Sequence, residues 1–225
     1  MALAPERNPS RESAIPELSF EVEDAGVLKH AAVPTLAFEL EIAAPEGVEV
    51  RSVMLNVQLQ IAARRRPYDE LAQRRLAEVF GTPDRWGSTL RTLPWLRTTL
   101  VVPPFTGVTS VELPVTLTYD LEVVASRYFH ALADGKVPLE FLFSGSLFYS
   151  GAGGELQTTR LTWESEAEFE LPVATWKAAM DCYFPGAAWL RLEKESFDRL
   201  YDYKAERSLP TWEATLDSLL EASGD

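Results

Sequence analysis

The chain has 225 residues, 46% hydrophobic and 24% charged, with a net charge of −13 and a single cysteine; this is room for one sizeable core with at most a modest appendage. No apolar run reaches the ~20 residues of a membrane helix, and residues 1–11 are polar with Pro5 and Pro9, so neither a membrane span nor a secretory leader is expected. So acidic a chain excludes nonspecific nucleic-acid binding, which rests on basic residues, and the lone Cys182 excludes an internal disulfide, which fits a cytoplasmic location.

Residues 1–16 carry charge and proline without periodicity and read as a disordered arm. A first strand is expected at 18–23, then strands at 34–43 and 50–62, where Val53, Leu55, Val57, Leu59 and Ile61 alternate with Met54, Asn56, Gln58 and Gln60. Pro45-Glu46-Gly47 between the last two is a turn signal that predicts a hairpin. Residues 68–80 space Leu71, Leu76, Val79 and Phe80 as a helix, with Asp69 and Glu70 near its start and Gly81 past its end. From Gly81 to Leu96 a long irregular loop is expected, carrying Trp86 and Trp95.

Strands resume at 97–102 and 108–119, the latter an edge strand or bulge because of Pro114. Asp120 reads as the N-cap of a helix over 121–134 that Gly135 ends. Val137, Leu139, Phe141, Phe143 and Leu147 line one face of a strand over 137–149, in which Gly145 marks a bulge or a close backbone approach. After a turn at 151–154, residues 162–171 alternate Trp163, Ser165, Ala167, Phe169 and Leu171 with Glu164, Glu166, Glu168 and Glu170, one face dry and the other wet. Beyond Pro172 the period changes to 3.6: helices are expected at 173–183, around Phe197, Leu200, Tyr201 and Ala205, and around Trp212, Leu216, Leu219 and Leu220, the last begun by Pro210 in its first turn. The whole predicts a mainly β (α+β) chain: an antiparallel β-sandwich of about seven strands over 17–172, with helical insertions near 68–80 and 121–134. Amphipathic helices over 173–225 are expected to cover it.

Chemistry-bearing groups are sparse. His30, His130 and Cys182 form no set at zinc-ligand spacing, so no metal or cofactor is expected. Cys182 reads as a small buried hydrophobe. Ser144-Gly145-Ser146 lies inside a strand pattern rather than at a strand-to-helix elbow, which leaves a hydrolase using Ser144 or Ser146 with His130 as the weakest reading. The glutamates of 164–170 read as a solvated face rather than paired acids or calcium ligands. No catalytic residue is assigned.

Charge is uneven. Residues 64–97 hold eight basic side chains against four acidic ones, a balance of +4 that leaves −17 on the rest. The plain reading is a solvated helix and loop paired with the protein's own acids; the functional one is a docking patch for an acidic partner, formed by Arg64, Arg65, Arg66, Arg74 and Arg75. Trp86, Arg91 and Trp95 make the alternative site, a small-molecule or carbohydrate pocket on the loop.

The segments DLEVVASRYFHAL (120–132), VPLEFLFSGSLFY (137–149), AWLRL (188–192) and LPTW (209–212) resemble an uncharacterised bacterial family, a domain of unknown function, over all but the first arm. That resemblance implies genes near those of nickel-iron hydrogenases, hence an accessory or assembly role with a hydrogenase subunit or maturation factor as partner. It implies no catalytic residues. The expectation is therefore a noncatalytic, cytoplasmic protein-binding accessory factor.

Overall fold

A computed structural model describes residues 15–118, 120, 123–162, 165–187 and 190–223. Residues 1–14 of the expected arm lie outside this set, as do Leu121, Trp163 and Glu164. Nine described strands form two antiparallel sheets. The smaller has the order β1 (Ser19–Val27), β2 (Thr35–Ala43), β6 (Val108–Thr116). The larger runs β4 (Leu93–Val102), β3 (Glu49–Ile61), β7 (Lys136–Ser150), β8 (Leu156–Arg160), with β5 (Phe105–Thr106) on β3 and β9 (Glu166–Pro172) on β7.

Alternation decides what is buried. The inward residues of β3, Val53 to Ile61, pair with Leu147, Phe143, Phe141 and Leu139 of β7, and all are buried. The two sheets meet through aromatic rings: Phe38 of β2 packs edge-on against Phe141 and Phe169 at 5.2 and 5.8 Å, and Phe20 of β1 stacks on Phe143 at 4.4 Å. Each such buried side chain is worth roughly 1.5–3 kcal/mol. The expected sandwich is present.

Neighbour pairing is not what builds it. Pro45-Glu46-Gly47 does make a turn, with Val48 N–H donating to the Pro45 carbonyl and Gly47 at φ 81°, but it carries the chain from one sheet to the other instead of closing a hairpin. Both β2 and β3 already have two other neighbours, β1 with β6 and β4 with β7. The Pro114 expectation holds, since β6 is an edge strand and Pro114 opposes Ala37. Gly145 is a close approach: at φ 146° and opposite Leu55, a Cβ there would fall 1.9 Å from the Met54 carbonyl oxygen.

Helical segments differ from their expected bounds. The 68–80 helix is two pieces, α1 (Glu70–Arg75) and α2 (Ala77–Phe80), parted at Leu76, which is fully buried. Asp69 caps α1 by accepting the Ala72 N–H at 2.7 Å, a contribution of about 1 kcal/mol. The expected loop 81–96 is largely structured: α3 (Trp86–Thr89) follows a 3-10 turn, and β4 begins at Leu93, so Trp95 is a strand residue. Asp120 is not the N-cap of α4 (Val124–Ala131); that position is Val123, whose N–H donates to the Asp120 carbonyl. Gly135, at φ 83°, lies beyond α4 and just before β7.

The chain divides at residue 187 into two compact units, later than the expected change at 172. The reason is α5 (Val173–Tyr183), which packs on β1, β2 and β9 and stacks Trp176 on Phe129 at 5.3 Å. The second unit contains α6 (Lys194–Glu206) and α7 (Trp212–Ser223), joined by Phe197 and Tyr201 against Trp212 and by a 2.9 Å Tyr203–Ser218 hydroxyl contact. Helix α7 starts after Pro210 rather than on it: the Thr211 hydroxyl accepts the Ala214 N–H at 3.1 Å.

Candidate interaction site

Immediately after β3 the chain turns through a 3-10 segment, Ala63–Arg65, whose arginines are spent on the scaffold. Arg64 donates to the Gly87 carbonyl at 3.1 Å. Arg65 grips both carboxylate oxygens of Glu168 at 2.5 and 2.7 Å, with Glu140 at 3.8 Å. That hydrogen bond raises the Arg65 guanidinium pKa and holds the Glu168 carboxyl below the usual carboxylate range. Arg66 donates to the Lys136 and Asp134 carbonyls at 2.5 and 2.6 Å, while its buried Nε has no partner. Gly135 makes room for this guanidinium, because a Cβ there would lie 3.2 Å from it.

Beside Arg66 the Tyr68 hydroxyl donates to the Ala63 carbonyl at 2.7 Å and meets the Tyr128 hydroxyl at 2.7 Å. Burial pushes both phenol pKa values up, so the pair is neutral and structural. Trp86 stands edge-on to Tyr68 at 5.2 Å, and its indole donates to the Gly81 carbonyl at 2.8 Å. Trp95, the extra residue in the β3–β4 register, packs on Phe129 at 4.9 Å. The two tryptophans expected to line a pocket thus enter one aromatic cluster through Tyr68, Tyr128 and Phe129, and Arg91 stays exposed.

Arg74 and Arg75 have a different fate. Arg74 makes one 3.3 Å bond to the Glu70 carbonyl, and the exposed Arg75 guanidinium has no partner among the described residues. Arg75 borders a cleft of about 320 Å³ between α1, α4 and α5. Leu132, Trp176 and Met180 give it apolar walls, and His130, Lys177 and Asp181 complete its edge. Lys177 is held in place by a 2.5 Å bond to the Ala133 carbonyl. Sequence reasoning missed Trp176, Lys177 and Met180, because one helical stripe does not say which other helix faces it.

Other candidates separate. His130 borders this cleft, while Ser144 borders a separate trough on the larger sheet with Asn56, Gln58 and Arg97. Cys182 is exposed on α5, not buried as expected, because the inward face of that helix is taken by Val173, Trp176, Ala179 and Met180. On the smaller sheet, Glu21, Glu23 and Glu41 bring carboxylate oxygens within 4.8 Å of one another, where a bulge adds Glu23 to β1. The charge of Glu21 is the chief cause of a raised Glu23 pKa.

Fold and surface together define a two-sheet β-sandwich with a helical layer and a basic, partly apolar cleft. The chain belongs to a family of unknown function, DUF6084, matched over residues 15–225. No curated protein matches it. Among solved structures it is similar to a CARDB domain from Pyrococcus furiosus held in complex with di-metal ions (13% identity, 69% of this chain and 91% of that one, TM-score 0.28). It is also similar to a late embryogenesis abundant protein (12%, 71% and 73%, TM-score 0.30) and to a β-glucosidase from Kluyveromyces marxianus (10%, 69% and 15%, TM-score 0.27). Likenesses at this level carry no argument about binding or activity. No described helix is long and apolar enough to cross a membrane.

Proposed function

We propose that this protein is a noncatalytic accessory module that holds another protein through the helical layer of its sandwich. One observation carries the reading: the cleft joins an apolar wall of Trp176, Met180 and Leu132 to Arg75 and His130, two exposed groups that make no internal hydrogen bond or ion pair among the described residues. A guanidinium and an imidazole left unpaired at the rim of a cleft, above apolar side chains the fold has already buried, suit the polar anchoring of an acidic partner segment. The family resemblance makes hydrogenase subunits and maturation factors the first partners to test.

The test is capture from native extract at low and high salt, repeated with the purified partner. Arg75→Glu and His130→Glu should weaken a salt-sensitive complex while the melting curve stays unchanged. Equal binding by wild type and both variants would remove the cleft from the account.

A further inference from the structure

Edge strands invite pairing with another chain unless something guards them. Three of the edge-forming strands here are guarded, and β8, the other terminal strand of the larger sheet, is blunted by its length of only five residues, Leu156–Arg160. β1 has a bulge at Glu23 with Glu21 and Asp24 beside it, β6 has Pro114 and Glu112, and β9 has Glu166, Glu170 and the Arg65-bound Glu168. The terminal strand β4 is different. After Pro94 and the irregularity at Trp95, residues 97–102 read Arg-Thr-Thr-Leu-Val-Val, with no proline, no acid and regular pairing to β3 on one side only. Beside this edge β4 meets β6 of the other sheet, where Leu100 and Val111 pack on the core but keep part of each side chain accessible.

Charge singles out the same edge. From Arg85 to Val111 the sequence holds Arg85, Arg91 and Arg97 and no acidic residue, in a chain with 34 acids among 225 residues. All three arginines are exposed, and their guanidinium groups have no hydrogen bond or ion pair among the described residues. Arg97 also borders, with Asn56, Gln58, Thr99 and Ser144, a trough of about 420 Å³ on the outer sheet face.

We propose that β4 is a strand-addition site for an extended acidic segment of a partner protein, with apolar residues alternating with carboxylates. Main-chain hydrogen bonds to 97–102 supply affinity; inward side chains cover Leu100 and Val111, and outward carboxylates meet Arg97 and Arg91. A second copy of this chain is the poorer occupant, because edge-to-edge pairing brings each copy's three unpaired arginines toward the other's. The inference rests on the reading of the protein as a binding module but uses a surface separate from the Arg75 cleft.

The probe is a fluorescein-labelled peptide of alternating glutamate and valine, blocked at both ends, added to the full chain and followed by anisotropy and amide hydrogen exchange. Saturable binding is expected, with slowed exchange at 97–102, affinity lowered about tenfold or more by Arg91→Glu with Arg97→Glu, and loss of binding when alternate peptide amides are methylated. Arg75→Glu should bind the peptide as wild type does, so failure of the cleft reading and failure of this one are told apart. No binding, binding by the methylated peptide, or protection that maps to α1 and α5 instead of β4 would overturn the proposal. Self-association with protected β4 amides in the absence of peptide would replace the acidic segment by a second copy. Unchanged melting curves establish that the variants are folded.

Discussion

Arg64, Arg65 and Arg66 stand next to one another and read in sequence as the most concentrated positive charge of the chain, whereas Arg75, Arg85, Arg91 and Arg97 are scattered singly. The structure separates them by what their guanidinium groups touch. The clustered three make bonds to Gly87, Glu168, Asp134 and Lys136, while the scattered four have exposed guanidinium groups with no partner among the described residues. A charge already satisfied inside the fold has little left to offer a partner, so the density of a basic run is a poor guide to a docking patch.

That contrast breaks most directly at Arg66. Arg66→Ala leaves the carbonyls of Asp134 and Lys136 without their donor and should lower unfolding free energy by about 2–3 kcal/mol in urea titration. A loss as small as that of a surface arginine would place Arg66 with the scattered group. Arg65→Ala should cost little at neutral pH, since the pair with Glu168 is largely exposed. The cost should vanish in acid. The Glu168 carboxyl is held below its ordinary value of 4.5, so its stabilising pair is fully present above that pH and is lost as pH falls through the lower folded value. Melting temperatures of wild type and Arg65→Ala that fail to converge on acidification would contradict this.

Smaller effects sharpen the same comparison from the acidic side. Glu23 has the opposite sign: its raised pKa means the charged form is disfavoured in the fold, so Glu23→Gln should melt slightly above wild type at neutral pH. The difference should close as pH drops through the raised value and Glu23 takes up its proton. Least of all, Arg85→Ala, Arg91→Ala and Arg97→Ala should each change stability by no more than about 0.5 kcal/mol. A larger loss at any of them would reveal an internal role and remove that arginine from the β4 site.

Much of the core was legible because a strand's side chains alternate by geometry: Val53 to Ile61, Val137 to Phe143 and Ala167 to Leu171 face inward as their period demands. Gly145 and Pro114 were legible for equally local reasons, one lacking a Cβ and the other an N–H. The ring contacts of Trp86 and Trp95 were not legible, because an aromatic residue in an apparent loop looks the same whatever its ring faces, here Tyr68 and Phe129. Cys182 misled, since nothing beside it in sequence shows which face of α5 is inward. The cleft was illegible altogether, its walls arriving from α1, α4 and α5.

The sequence by itself determined which residues are apolar on one face, where the Pro45–Gly47 turn falls, and that residues 85–111 hold three arginines without an acid. These are properties of single residues and short spacings. Only the tertiary structure decided that β2 and β3 belong to different sheets, that Arg65 and Glu168 meet across 103 positions, and that β4 ends its sheet with an unpaired edge. Pairing between distant strands is set by which combination buries all the inward faces at once, and that choice is made by the whole chain.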